Sequence, residues 1–307
     1  MSQRELRGLA ASGGVAIGHA LVWRDAASTA AEGDPLAALD AVAAELAQGA
    51  DRFRAAGLQD EAEILETNRL MAEDPALRLE VERLDAQLGP AEALRTATTR
   101  HAQLLAMLPD PLLAARATDI RQLGVRAVRA LTGSAMPAPT EGSILIARDL
   151  GPADVADLHL DEGRVLGIAL AEGAATSHAA IMARALGVPM AVGVGEDVLS
   201  IADGETVIVE GDDGAVVADP RAGQLLDAES KLRRRRRLRE ARAAGRGLPA
   251  VTRDGRAVSL LCNASTAAEV HAGLEAGAEG VGLLRTELAF LDARAWPTGD
   301  DHVAALA

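Results

Sequence analysis

In ELRGLAASGGVAIGHALVW, residues 5–23, apolar and small residues alternate around a Gly-Gly pair, which predicts two short strands and a turn. From 34 to 133 the period changes to three and four. It is clearest in PLAALDAVAAELAQGADRFRAA and continues through 61–73, 76–88, 91–107 and 111–131. Gly57, Pro75, Gly89-Pro90, Pro109 and Pro111 punctuate these stretches, so four or five helices with short connections form a bundle. After 142 the strand period returns in GSILIARDL, GRVLGIALAEG, GVPMAVGV and GETVIVEGDDGAVVADP, with helices expected over 152–158 and 178–186. Residues 1–33 and 134–221 are therefore expected to make one α/β domain, with the helical bundle, 34–133, inserted into it.

Residues 222–245 read as a long helix with five consecutive arginines from 233 to 237, the body of a linker-helix region over 222–250. A charge run of this kind is read as a solvated face. Within 251–307, AVSLLCNASTAAEVHAGLEAGAEGVGLLRTELAF has the order strand, helix, strand, the opening of a parallel barrel or a doubly wound sheet. A (β/α)8 barrel takes about 250 residues. The expectation is a chain that stops inside its third domain, as a fragment or a shortened form.

Composition narrows the function. The 307 residues are 49% apolar and 25% charged, with no Tyr, Phe only at 53 and 290, and Trp only at 23 and 296. Aromatic stacking on bases is nearly excluded, and a net charge of −14 repels a phosphate backbone, so no nucleic-acid partner is expected. Cys262 stands alone, which excludes an internal disulfide and fits a reducing cytoplasm. Neither a signal peptide nor a membrane-length apolar run is read, so the expected location is cytoplasmic, without membrane contact. Residues 57–92 hold ten acidic side chains against three arginines, making one end of the bundle negative.

The candidate chemistry lies in EGAATSHAAIMARALGVPMAVG, residues 172–193. Thr176 or Ser177 is a good N-cap, and Gly187 with Pro189 ends the helix, so His178 falls in the first turn. Unpaired N–H groups and the positive helix end make a local anion site there. Small residues from Gly173 to Ala175 let a phosphate approach closely. A neutral imidazole keeps one nitrogen lone pair for attack, and a phosphoryl group received by it would carry charge where the helix end stabilises it. Packing or capping alone is the competing role for an arbitrary histidine. No metal-ligand spacing surrounds His178, and Ser177 beside it is not by itself a nucleophile pair.

These pieces together resemble phosphoenolpyruvate–protein phosphotransferase, enzyme I of the bacterial sugar phosphotransferase system. GLAASGGVAIGHA is similar to its N-terminal segment, with Gly14 where proline is usual. RATDIRQLGVRAVRALTG resembles the last helix of its carrier-binding bundle, and ILIARDLGPADVADL precedes the active segment as in the family. TSHAAIMARALGVPMAVG matches its phosphohistidine motif and GAEGVGLLRTELAF its second barrel strand.

The resemblance implies a swivelling α/β phosphohistidine domain with an inserted all-α bundle, followed by the incomplete start of a (β/α)8 barrel. It implies His178 as the phosphorylated nucleophile, supported by Thr176, Ser177 and Gly173. Arg285 would bind the phosphate of phosphoenolpyruvate, with a structural ion pair to Glu287 or another carboxylate as its alternative role. Leu65, Glu66, Leu70, Met71, Asp119 and Arg121 match the surface that holds the histidine phosphocarrier protein. Mg2+ would serve in the complete enzyme, its ligands and the catalytic cysteine being absent from this chain; Cys262 is expected in a core. Dimerisation is expected only with a complete barrel. The chain as given is expected to exchange phosphoryl with a phosphorylated carrier but to use phosphoenolpyruvate poorly.

The match departs from the family at Ala174 and Ala175, where Gly followed by Arg or Pro is frequent. It departs again at Val155, where a threonine hydroxyl usually reaches the imidazole. Two alternatives stay open. One is an enzyme like pyruvate phosphate dikinase or phosphoenolpyruvate synthase, which share a T-x-H motif and barrel. The other is a non-catalytic module that binds and regulates the carrier.

Overall fold

The structure, a computed structural model, describes residues 4–24, 32–134, 136–160, 164–265, 267–286 and 296–306. Alternating apolar side chains build an eight-stranded sheet from β1 (Arg4–Arg7), β2 (Leu9–Ser12), β3 (Val15–Trp23), β4 (Ser143–Ala147), β5 (Val165–Leu170), β6 (Met190–Val192), β7 (Thr206–Glu210) and β8 (Ala215–Ala218). Their order is β1-β8-β7-β3-β4-β5-β6-β2. Strands β3 to β6 pair in parallel and the remaining pairs are antiparallel.

Where the sequence predicts two strands before residue 24, the structure has three. The extra break is at Gly8, where a Cβ would stand 2.3 Å from the Val192 carbonyl oxygen. From there β1 goes to β8 and β2 to β6, at opposite ends of the strand order, so the sheet curls toward closure. A second tight crossing needs Gly211, whose Cβ would meet the Ser12 carbonyl oxygen at 1.9 Å.

The period of two sorts side chains between faces. Ile144, Ile146, Val207 and Val209 enter one core cluster, while Leu145 and Ala147 face another. That other cluster is continuous with the bundle: α1 (Pro35–Ala55), α2 (Gln59–Ala72), α3 (Pro75–Leu88), α4 (Pro90–Ala106) and α5 (Pro111–Thr132). Asp34 and Asp74 cap α1 and α3 by accepting from Leu36 N at 2.8 Å and Ala76 N at 2.7 Å, each followed by a proline at the first helical position. The core is short of aromatics, so the helices come close. At Gly124 of α5 a Cβ would lie 2.1 Å from Thr98 Oγ1 of α4.

Helices α6 (Pro152–Leu160) and α7 (His178–Ala185) lie between bundle and sheet in the same cluster. Full burial of side chains such as Leu39, Leu94 and Leu145 contributes about 1.5–3 kcal/mol each. Helix α8 (Ala222–Gly245) packs Leu225, Ala228 and Leu232 on Val15, Ile208 and Val217 of the sheet. It ends at Gly245, as the stretch AGQLLDAESKLRRRRRLREARAAG reads, with Gly247 and Pro249 following. Contacts divide the chain within this helix, into Met1–Leu232 and Arg233–Ala307.

In the second unit β9 (Leu261–Ala264) and β10 (Gly280–Leu284) pair in parallel across α9 (Ala267–Glu275), and α10 (Gly299–Leu306) follows. That is the strand–helix–strand order read from the sequence. Among the described residues no helix is long and apolar enough to cross a membrane.

Candidate functional site

Ser177 caps α7: its backbone is extended, at φ −65° and ψ 157°, and its Oγ accepts from Ala180 N at 3.2 Å. Thr176 is exposed and is not the cap. His178 is therefore the first helical residue, as the spacing requires. The loop before it is pinned at several points. Glu172 N donates to Arg148 O at 2.8 Å, and Gly193 N donates to Glu172 O at 3.0 Å. From the last turn of α7, Arg184 Nη1 reaches Ala11 O at 2.6 Å and Ala175 O at 3.0 Å. Gly173 has φ +96°, a backbone that a side chain would strain.

The imidazole is about one-fifth exposed, and its Nδ1 lies 2.8 Å from Oδ2 of Asp119, on α5. Arg116 Nη1 stands 3.3 Å from the same oxygen. A carboxylate facing Nδ1 favours the ring proton on that nitrogen and leaves the lone pair on Nε2. Val155, where the family usually has threonine, is fully buried in the core. The partner of the ring comes from a different element.

Asp119 belongs to a polar stripe along one side of α5. Gln122 donates to Asp149. Arg126 reaches Asp154 at 2.9 Å, Asp157 at 2.6 Å and Glu45 at 2.8 Å. Arg129 pairs with Asp154 at 3.2 Å and lies 4.2 Å above the Trp23 ring. Asp154 also accepts from Gly151 N at 2.9 Å, at the start of α6. Burial pushes the Asp149 carboxyl above its ordinary range, partly opposed by the Leu150 N–H and Gln122. Burial would pull the Arg126 guanidinium down, but Asp154 and Asp157 outweigh it and hold the proton more firmly. Bundle and α/β segment thus meet near His178 through charged and amide groups.

The residues matched to a carrier surface separate into two groups. Leu70 is 55% exposed, Arg121 is exposed with Nη2 donating to Thr118 Oγ1 at 3.1 Å, and Glu66 is half-buried. Arg69, 2.6 Å from Glu66, holds that carboxyl below its usual range. Met71 is half-buried and packs toward Ala102, Ala117 and Ile120. Leu65 and Asp119 are corrections: they are 1% and 4% exposed and offer no surface to a partner. Leu65 faces α1, where a Cβ at Gly49 would meet its Cδ1 at 3.1 Å, and Asp119 is taken up by His178 and Arg116.

In the second unit Arg285 follows β10, its side chain exposed and its N–H bonded to Ala264 O at 2.8 Å. Glu287, its alternative partner, lies outside the described residues. Cys262 is half-buried, against α9 at Gly273. Among the described residues no three His, Cys, Asp or Glu side chains gather into a group that could hold a metal.

Sequence reasoning missed Arg116, Gln122, Arg126, Asp154 and Arg184. The first three, with Asp119 and Arg129, recur every three or four residues along α5. That spacing is a visible signal of one helical face.

Three family models match the chain: PEP-utilising enzyme, N-terminal, over 7–116; mobile domain, over 139–214; and PEP-binding domain, over 239–307. A phosphoenolpyruvate-protein phosphotransferase of Streptomyces coelicolor is 40% identical over 94% of this chain and 52% of its own length. A multiphosphoryl transfer protein of Xanthomonas campestris is 37% identical over 98% of this chain and 38% of its own. The chain thus spans about half or less of these relatives. A solved N-terminal domain of "Enzyme 1 - Nitrogen" is 31% identical, with a TM-score of 0.50, over 73% of this chain and 98% of that one.

Proposed function

Because the chain belongs to the family of PEP-utilising enzymes, we propose that it carries phosphoryl groups on His178, from phosphoenolpyruvate to a histidine phosphocarrier protein, as in the first step of sugar phosphotransferase uptake. The observation that carries this reading is the Asp119 carboxylate 2.8 Å from Nδ1 of His178.

With the proton on Nδ1, Nε2 of the neutral ring attacks phosphorus. A P–N bond forms, the bridging P–O bond of phosphoenolpyruvate breaks, and its electron pair stays on the enolate oxygen. In the second step a ring nitrogen of the carrier histidine attacks phosphorus, and the P–N pair returns to Nε2. The imidazolium character that develops in the first step is offset by Asp119. The incoming dianion meets the open N–H groups at the start of α7, worth about 0.3–2 kcal/mol. Gly173 and the alanines after it keep the approach clear.

The carrier side of the reading is supported by exposed Leu70 and Arg121 and by the acidic stretch over 57–92, which would speed encounter with a basic-faced partner. Arg285 is the group for the phosphate of phosphoenolpyruvate, since a guanidinium fork matches two phosphate oxygens. The magnesium ion that the family resemblance implies has no ligand set among the described residues.

The test is incubation of the chain with a phosphorylated histidine carrier, followed by mapping of the modified residue under alkaline conditions. An acid-labile phosphoryl group on His178, absent in His178→Ala, is the expected result. A label on another residue, or none, overturns the proposal.

A further inference from the structure

The segment that delivers His178 is a β-turn, closed by Ser177 N donating to Ala174 O at 3.0 Å, with Ala175 and Thr176 at its centre. A turn of this kind fixes its ends but not its middle. The central peptide takes no part in the closing bond, and turning it over is the difference between the two common turn types. Thr176 holds it in part, because the turned-over form needs a positive φ there, which Thr176 does not have and a β-branched residue resists. Arg184 holds it as well. Its Nη1 donates to Ala175 O, the oxygen of that central peptide, at 3.0 Å.

The same nitrogen donates to Ala11 O of β2 at 2.6 Å. One NH2 of the guanidinium therefore ties the middle of the turn to a strand of the sheet, remote in sequence. Arg184 is exposed, so water replaces these bonds when the donors are removed and little of the fold's stability rests on them. In a trans peptide the N–H points opposite to the carbonyl oxygen. Holding Ala175 O toward the guanidinium thus turns the Thr176 N–H away from it and sets the direction in which the chain continues. The next residue, Ser177, supplies the Oγ that caps Ala180 N, and His178 follows as the first residue of α7.

The geometry points to Arg184 as a positioning residue for His178: it locks the central peptide of the Ala174–Ser177 turn onto β2, and so fixes the Ser177 cap and the ring that follows it. The inference rests on His178 as the phosphoryl carrier. Arg184 acts through the turn and not through contact with the phosphoryl group.

Arg184→Met in the full chain keeps an unbranched stem and removes the donors, whereas Arg184→Lys keeps a donor on a slightly shorter stem. Three measurements test them: urea unfolding, hydrogen exchange of single backbone amides, and phosphoryl exchange over a range of concentrations of a phosphorylated histidine carrier. In Arg184→Met the unfolding midpoint is expected to stay close to the parent's. Exchange at the Ser177 and Ala180 amides is expected to be about 10-fold faster, with the amides of β7 unchanged. The saturating rate is expected to fall about 10-fold, as for a reacting group slightly out of place, with the half-saturating carrier concentration unmoved. Arg184→Lys is expected to return most of the amide protection and of the rate. Unchanged exchange at Ser177 and Ala180 overturns the proposal, as does an unchanged saturating rate or a loss confined to the half-saturating concentration. Equal loosening of β7 also overturns it, since that is a general loss of stability. Amide exchange needs no phosphoryl donor, so it judges Arg184 separately from the labelling test of His178.

Discussion

Asp119 Oδ2 stands 2.8 Å from Nδ1 of His178, a contact that joins the helical bundle to the residue proposed to carry phosphate. Replacing the carboxylate by an amide keeps the shape but offers the ring either an oxygen or an NH2. Asp119→Asn is expected to lose tautomer control and slow phosphoryl exchange by about 100-fold, the scale of a misaligned reacting group. Rapid-quench kinetics check this, with circular dichroism showing the fold intact; an unchanged rate would sink the role.

Asp154 is surrounded by donors: Arg126 at 2.9 Å, Arg129 at 3.2 Å and Gly151 N at 2.9 Å. Asp154→Ala removes the acceptor for two largely buried guanidinium groups and the N–H at the start of α6. The expected cost is about 3–5 kcal/mol, typical of breaking one side of a buried ion pair. A urea unfolding curve measures it, and a cost below 1 kcal/mol would show that Asp157 and Glu45 suffice.

Asp149 gives a pH signature. Burial favours its protonated form, so the folded carboxyl titrates above its ordinary range. The stability linked to that bound proton is present in acid and is lost as pH rises through the folded value. Asp149→Asn carries no charge, and Gln122 can turn to donate or accept. The variant is expected to be more stable than the parent at pH 7, with the gap closing toward pH 4. Equal gaps at the two pH values would disprove the assignment.

A methyl at Gly211 would overlap the Ser12 carbonyl oxygen at 1.9 Å. Gly211→Ala must push β2 away from its crossing, at a cost of about 1–3 kcal/mol or more. Thermal unfolding reports it directly.

How much was legible follows from how local each decision is. The five bundle helices were readable because their apolar period, proline starts and capping aspartates lie within a few residues of one another. The strand break at Gly8 was not readable, because it exists only where that backbone crosses Val192, remote in sequence. Leu65 and Leu70 look alike in a sequence. Packing against α1 buries one, and the other remains 55% exposed. Asp119 matched a carrier-facing position by motif, whereas the fold turns it inward to the imidazole.

By itself, then, the sequence determined that His178 begins a helix, since Ser177, the small residues before it and Gly187 after it act over one or two turns. It also determined the alternation of strand and helix and the acidic face of the bundle. Which carboxylate faces the ring, and that Val155 is buried away from it, followed from the packing of separate elements. Backbone conformation answers to neighbours in the chain, but a side chain's partner is whichever group the packing of separate elements brings within about 3 Å.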